Sequence, residues 1–167
     1  MEDQRSSGSA SVRVRPFEIG DLRRWFESDA PVPADGRADA APSEVVRTLF
    51  DFEFAGTTNA WIVESAGRLI GMAVVLIESD ALAHLKHLWI ARGVTDHPNV
   101  ARALAETAIR HAWEGGCLKL VVHTALPASR LILPMHELGF EFAGARSNGG
   151  EAVVEFYRNL YERPRDR

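Results

Sequence analysis

Along this chain apolar positions alternate in some stretches and recur every three or four residues in others, and the change of period marks out the elements. "SVRVRPF" alternates and predicts a first strand over about Val12 to Phe17. "IGDLRRWFES" places Leu22, Trp25 and Phe26 at helical spacing and predicts a short helix. The polar stretch from Ser28 to Ser43 carries three prolines and interspersed acids. It predicts a long loop, of a length that often serves as a lid over a site. "PSEVVRTLFDFEF" predicts a second helix, with Ser43 as N-cap and Val46, Leu49 and Phe50 at helical spacing. "NAWIVES" and "LIGMAVVLIES" read as a hairpin joined by a short turn containing Gly67, and "ALAHLKHLWIA" as a further strand over about Leu82 to Ala91.

The next unit fixes the architecture. From Pro98 two adjacent i,i+4 rows are apolar: Val100, Leu104, Ala108 and Ala112, and Ala101, Ala105, Ile109 and Trp113. The opposite side alternates in charge through Arg102, Glu106, Arg110 and Glu114. Gly115 and Gly116 stop the helix, and "CLKLVVHT" follows as a strongly apolar strand. Strand, amphipathic helix and apolar strand form a right-handed crossover between parallel neighbours. "LPASRLILPMHELGF" predicts a shorter helix interrupted by Pro134 and closed by Gly139, and "FEFAGARSNGGEAVVEFYRNL" a closing hairpin turning at "SNGG". The order is β-α-α-β-β-β-α-β-α-β-β.

Composition narrows the function classes. At 167 residues, with 46% hydrophobic and 25% charged residues, the chain is one domain's worth with a real core. Loose ends are expected at residues 1–11 and 161–167, with the folded domain over 12–160. The net charge of −4, with Lys and Arg scattered among acids, argues against a nucleic-acid partner. A single cysteine, Cys117, excludes an internal disulfide and fits a reducing compartment. "MEDQRSSGSAS" has no apolar core of a signal peptide, and the run Leu69 to Ile77 is too short to span a bilayer. No membrane partner and a cytoplasmic location are therefore expected.

The element order and several local stretches resemble the GNAT acyltransferase superfamily over about Val12 to Leu160. "WIVESAGRLIGMAVVL" is similar to the family's second and third strands, with Gly71 where a glycine commonly opens the third. "HLWIA" resembles the segment before the coenzyme loop, "HELGFEF" the ending of the last helix, and "VVEFYRNL" the terminal strand. The resemblance implies an α/β fold with a mixed, mostly antiparallel central sheet. Its fourth and fifth strands, joined by the third helix, would run parallel and splay apart at their carboxyl ends. It also implies acyl transfer, in the first instance acetyl, from acetyl-CoA to the primary amine of a small molecule or peptide. A homodimer is compatible with it.

The same resemblance places the coenzyme loop on Asp96, His97, Pro98, Asn99, Val100 and Ala101, where the family has Arg or Gln, two residues, Gly, one residue, and Gly or Ala. Of the specified positions only Ala101 fits. Asp96 replaces a cation with an anion, and Pro98 removes one N–H donor. The pyrophosphate would meet the N–H groups of Asn99, Val100, Ala101 and Arg102, with weak affinity. Arg92 and Gly93 could partly replace the missing cation and flexibility. An N-cap by Thr95 or Asp96 with Pro98 in the first turn explains the same stretch without any ligand. The family's asparagine in the last helix falls on Ala128 and its thiolate-protonating tyrosine on Met135. These departures leave a second reading open, a non-catalytic binding module of the same fold.

For the base, the resemblance points six residues before the last apolar residue of the fourth strand, to His84. A neutral imidazole there could take a proton from an ammonium. Glu78, Asp80 and His123, at the ends of neighbouring strands, compete with it, and an inert surface role for His84 stands beside them. Backbone N–H groups near Leu88, Trp89 and Ile90 would face the oxyanion. No metal site is expected: the three-residue spacing of His84 and His87 on a strand predicts opposite faces, and Cys117 has no partner.

Overall fold

The computed structural model describes residues 12–27, 32–33, 58–91, 94, 97–125, 135–148 and 151–161. Along these residues the elements are β1 (Arg13–Pro16), α1 (Asp21–Glu27), β2 (Val32–Pro33), β3 (Thr58–Ser65), β4 (Arg68–Ser79), β5 (Leu82–Ile90), α2 (His97–Glu114), β6 (Lys119–Ala125), β7 (Glu141–Asn148) and β8 (Glu151–Asn159). They build one mixed sheet in the order β1-β3-β4-β5-β6-β8-β7, with β2 added to β5. β5 and β6 run parallel and every other pairing is antiparallel. The expected fold class is therefore observed. The expected helix from Ser43 and the first part of the helix before Gly139 lie outside the described residues, as does the turn at residues 149–150.

Alternation along the strands assigns the two faces. Ala73 and Val75 on β4, Ala83 and Leu85 on β5, and Leu120 and Val122 on β6 are buried together with Val100, Leu104, Ala105 and Ala108 of α2. Their neighbours Met72 and Val74 join Ile62, Leu69 and Phe17 in a second cluster, against which Leu22 of α1 packs. The side chains of Trp25 and Phe26 lie outside the described residues. α2 covers one face because its small apolar rows let the helix approach the strands closely. The row ends earlier than its spacing implies. Ala112 is fully buried, but Trp113 is 61% exposed, because the chain turns away one residue later. There the N–H of Cys117 donates to the Ala112 carbonyl and that of Gly116 to Trp113, with Gly116 at φ 82°. This is the paired hydrogen-bond closure that a left-handed residue allows.

The "HELGF" stretch has the same physical content. The Phe140 N–H donates to the Met135 carbonyl and the Gly139 N–H to His136, with Gly139 at φ 77° and Phe140 buried. A helical turn is closed and an apolar side chain is returned to the core in two residues. The β3–β4 connection is a two-residue turn with Ala66 at φ 49° and Gly67 at φ 74°, the primed type that suits the twist of a hairpin.

Two further features depart from the sequence reading, and both concern β5. Leu85 pairs with Val75 and His87 with Val74, so Lys86 is an extra residue, a β-bulge. His84 pairs with Leu76, two residues from Val74 on β4. The bulge therefore restores parity between positions 84 and 87, and opposite faces do not follow from their spacing. Second, the stretch from Ser28 to Ser43 is not loop throughout. Val32 and Pro33 form β2, paired with Ile90 and Trp89. β4 holds the other edge of β5 at these positions, through Gly71 and Met72. β2 therefore lies on the edge that β6 has left.

Candidate active site

The parallel pairing of β5 with β6 runs only from Leu82 with Lys119 to Leu85 with Val122. Both strands continue beyond it, to Ile90 and Ala125. This is the expected splay. Between Leu85, the last residue to pair with β6, and Trp89, the first to pair with β2, residues 86–88 have no strand on that edge among the described residues. An exposed strand edge offers backbone donors and acceptors to any extended ligand that carries amides.

Beside this gap four polar side chains form an array across four adjacent strands. His84 lies between Ala83 and Leu85, His123 follows Val122, and Glu155 lies between Val154 and Phe156. The residues named as neighbours belong to the core under α2, so the three polar ones project from the opposite face. His84 Nε2 is 2.5 Å from Glu78 Oε2, and His123 Nε2 is 2.9 Å from Glu155 Oε2. The two imidazoles stack with centroids 5.9 Å apart and planes 19° apart. In sheet order the row runs Glu78 on β4, His84 on β5, His123 on β6 and Glu155 on β8.

The chemistry of the row turns on His84. Its side chain is only 15% exposed, and Nδ1 is buried without a hydrogen-bond partner in the protein. In a neutral ring that donates Nε2–H to Glu78, Nδ1 would carry the lone pair, and a buried acceptor left unmatched is costly. The sequence reading named His84, Glu78 and His123 and missed Glu155. Alternation in "EAVVEFYRN" sends Glu155 away from the core. Only the β6–β8 register sets it opposite His123, and a single sequence does not carry that register.

The other candidates fall elsewhere. Asp80 lies in the turn between β4 and β5. Cys117 is buried, and its thiol is pushed up first by burial and then by the charge of Asp80, which keeps it protonated and unreactive. Leu88 and Ile90 are buried, and the backbone at Trp89 and Ile90 is paired on both edges. Leu88 is thus the member of that trio that borders the gap.

α2 starts at His97 and its amino end stands at the carboxyl end of β5. Asn99 and Val100 lie in the first turn of the helix. The start one residue before Pro98 carries Ala101 and Arg102 into the second turn, where N–H groups bond back within the helix. Thr95 and Asp96, with Arg92 and Gly93, lie outside the described residues, as does Ala128. The Arg102 guanidinium pairs with Glu137 and ties α2 to the turn before β7. Met135 is buried in the core against α2, so this position packs and does not face a leaving group. A cavity of about 540 Å³ lined by Leu82, Leu118, Lys119, Tyr157 and Tyr161 lies at the other end of β5 and β6 from the splay. It does not coincide with the array. Among the described residues no group of His, Cys, Asp and Glu is arranged to hold a metal, and no helix is long and apolar enough to cross a membrane.

With this geometry in place, the family assignment follows from residues 19–140, which match the acetyltransferase (GNAT) family model. The chain belongs to the GNAT acetyltransferase family. No curated protein matches it. Among solved structures it is similar to the ribosomal-protein-S18-alanine N-acetyltransferase of Escherichia coli, at 15% identity and a TM-score of 0.73, covering 93% of this chain and 98% of that one. PaiA N-acetyltransferase of Thermoplasma acidophilum, in complex with coenzyme A, aligns at 15% identity and a TM-score of 0.65, covering 87% and 98%. A GNAT family acetyltransferase of Elizabethkingia anophelis with acetyl-CoA bound aligns at 15% identity and 0.61, covering 89% and 98%. At these identities the likeness is one of fold.

Proposed function

We propose that this GNAT protein transfers an acyl group, acetyl in the first instance, from acetyl-CoA to a primary amine, with His84 as general base. The observation that carries the reading is the buried, partnerless Nδ1 of His84, whose Nε2 meets Glu78, beside the edge at residues 86–88 that no described strand covers. That edge fits an amide-bearing chain such as the pantetheine arm, and the first turn of α2 at the same end of the sheet offers Asn99 and Val100 to the pyrophosphate. Acetyl-CoA would supply an activated acyl group. The acceptor arrives as an ammonium and gives its proton to His84 Nδ1. The neutral nitrogen then attacks the thioester carbonyl carbon, the C–N bond forms, the C–S bond breaks, and the departing thiolate takes the second proton shed by the acylated nitrogen to leave as free thiol. Backbone N–H groups in the window ending at Leu88 would stabilise the charge on the carbonyl oxygen.

Two observations favour the alternative, a binding module without catalysis. Val32 and Pro33 occupy the edge of β5 at Trp89 and Ile90, where an extended ligand would lengthen its pairing, and Met135 supplies no proton. Calorimetric titration with acetyl-CoA and longer acyl-CoAs separates the two readings. Saturable binding of acetyl-CoA is expected for the transferase, weak for this family because Pro98 lacks an N–H. No heat with any acyl-CoA leaves the binding module.

A further inference from the structure

The structure assigns a role to His123 and Glu155: we propose that they are a positioning pair that holds the His84 ring, an inference that rests on His84 as the base. Glu78 by itself cannot fix that ring. It is 57% exposed and ends a long surface side chain, so its carboxylate can follow the imidazole as it rotates. A half-turn about the Cβ–Cγ bond exchanges Nδ1 with Cδ2 and Nε2 with Cε1. It would remove the lone pair from the place where the buried nitrogen now lies.

His123 opposes that rotation. Its ring lies nearly parallel to that of His84, within the separation at which aromatic rings attract each other. Turning the His84 ring through the perpendicular would drive its edge toward the face of His123. His123 is anchored in turn. It pairs directly with Glu155 in the β6–β8 register, the carboxylate meets Nε2 at 2.9 Å, and Glu155 is only 22% exposed. The firm end of the row is therefore at β8, the loose end at Glu78, and His84 stands between them.

The test uses the full chain and two substitutions at one position. His123→Ala removes the flat ring, and His123→Phe keeps a ring but removes both nitrogens. With acetyl-CoA and an amine acceptor, His123→Ala is expected to lower kcat about tenfold, a modest part of what misplacement of a catalytic group can cost, with KM for acetyl-CoA unchanged. His123→Phe should restore most of the rate. Independently of turnover, NOEs from the Cδ2–H and Cε1–H of His84 to its neighbours should report one ring orientation in the wild type and in His123→Phe, and a mixture in His123→Ala. Loss in His123→Phe as large as in His123→Ala overturns the proposal, because His123 then acts through its nitrogens. A single unchanged His84 ring orientation in His123→Ala also overturns it. Absence of acyl transfer by the wild type refutes the proposed function instead, and the ring contacts still decide whether His123 holds the ring.

Discussion

Two polar clusters sit on this sheet, and they are built on opposite plans. The first joins α1 to the β1–β3 edge. Arg15 donates to both carboxylate oxygens of Asp21 at 2.8 and 2.6 Å and to Glu64 at 2.9 Å; Arg24 donates to Glu64 and to the Gly67 carbonyl at 2.7 Å each. Asp21 also accepts from the Glu18 N–H at 2.9 Å and is almost fully buried. The second is the Glu78–His84–His123–Glu155 row. The first pairs fixed charges, and its buried carboxylate has donors on both oxygens. In the second the groups are imidazoles and carboxylates of differing exposure, and one buried nitrogen is left without a partner. Satisfied charge holds a framework together, whereas an unmatched buried nitrogen marks a candidate site, the base in the function proposed above.

The comparison predicts a crossed pattern of effects. The largest is at Asp21. Removing it strands Arg15 and the Glu18 N–H, and Asp21→Ala should destabilise the fold by about 2–3 kcal/mol, the low side of a broken buried pair because Arg15 keeps Glu64. Any acyl-transfer rate per folded molecule should stay the same. Burial pushes the Asp21 carboxyl up, but the bonds from Arg15 and Glu18 and the charges of Arg15 and Arg24 outweigh it and hold it below its ordinary 3.8. Bonds from Arg15 and Arg24 hold Glu64 below 4.5. Both carboxyls bind protons more weakly folded than unfolded. Their stabilisation is complete above those ordinary values and drains away as pH falls through the lower folded ones. The unfolding midpoint should therefore drop in acid below about pH 4, and less steeply in Asp21→Asn.

His84→Ala should do the reverse. It should lower kcat about a hundredfold or more, the usual scale for a general base, with little change in coenzyme binding. Stability should shift by less than about 1 kcal/mol. The pH profile of the rate should change as well. An unchanged pH profile moves the base to Glu78 or His123. If instead His84→Ala unfolds the protein while Asp21→Ala abolishes transfer, the division between the clusters is wrong.

A smaller effect is expected at the start of α2. Replacing Asp96 by Arg and Pro98 by Gly together restores a cation and an N–H donor and should tighten acetyl-CoA binding about tenfold, or about 1.4 kcal/mol. Equal affinity in the two proteins means the pyrophosphate lies elsewhere. The smallest effect belongs to the framework. Ala66 is a non-glycine residue in the left-handed region, and Ala66→Asn, better suited to that turn, should raise stability by about 0.5–1 kcal/mol.

Much of the framework was legible because it depends on local patterns. The apolar rows on α2, the alternation of β6 and the glycines at 116 and 139 each state their structure within a few residues. The site was legible only in part. His84, His123 and Glu78 could be named one at a time, but their assembly into a row depends on registers between distant strands. Three features had no local signature: the bulge at Lys86, the pairing of Val32 and Pro33 with β5, and the position of Glu155 opposite His123. Each arises from long-range pairing that fixes parity or proximity, which spacing along one strand does not report.

Release of free thiol from acetyl-CoA, followed with a panel of primary amines and with the acylated product identified by mass, decides whether His84 serves an acyl transfer. Amine-dependent thiol release is expected from the wild type, at a rate lowered about a hundredfold or more in folded His84→Ala. Amine-dependent release that His84→Ala leaves at full rate would contradict that role, as would the absence of release with every amine from a protein that binds acetyl-CoA.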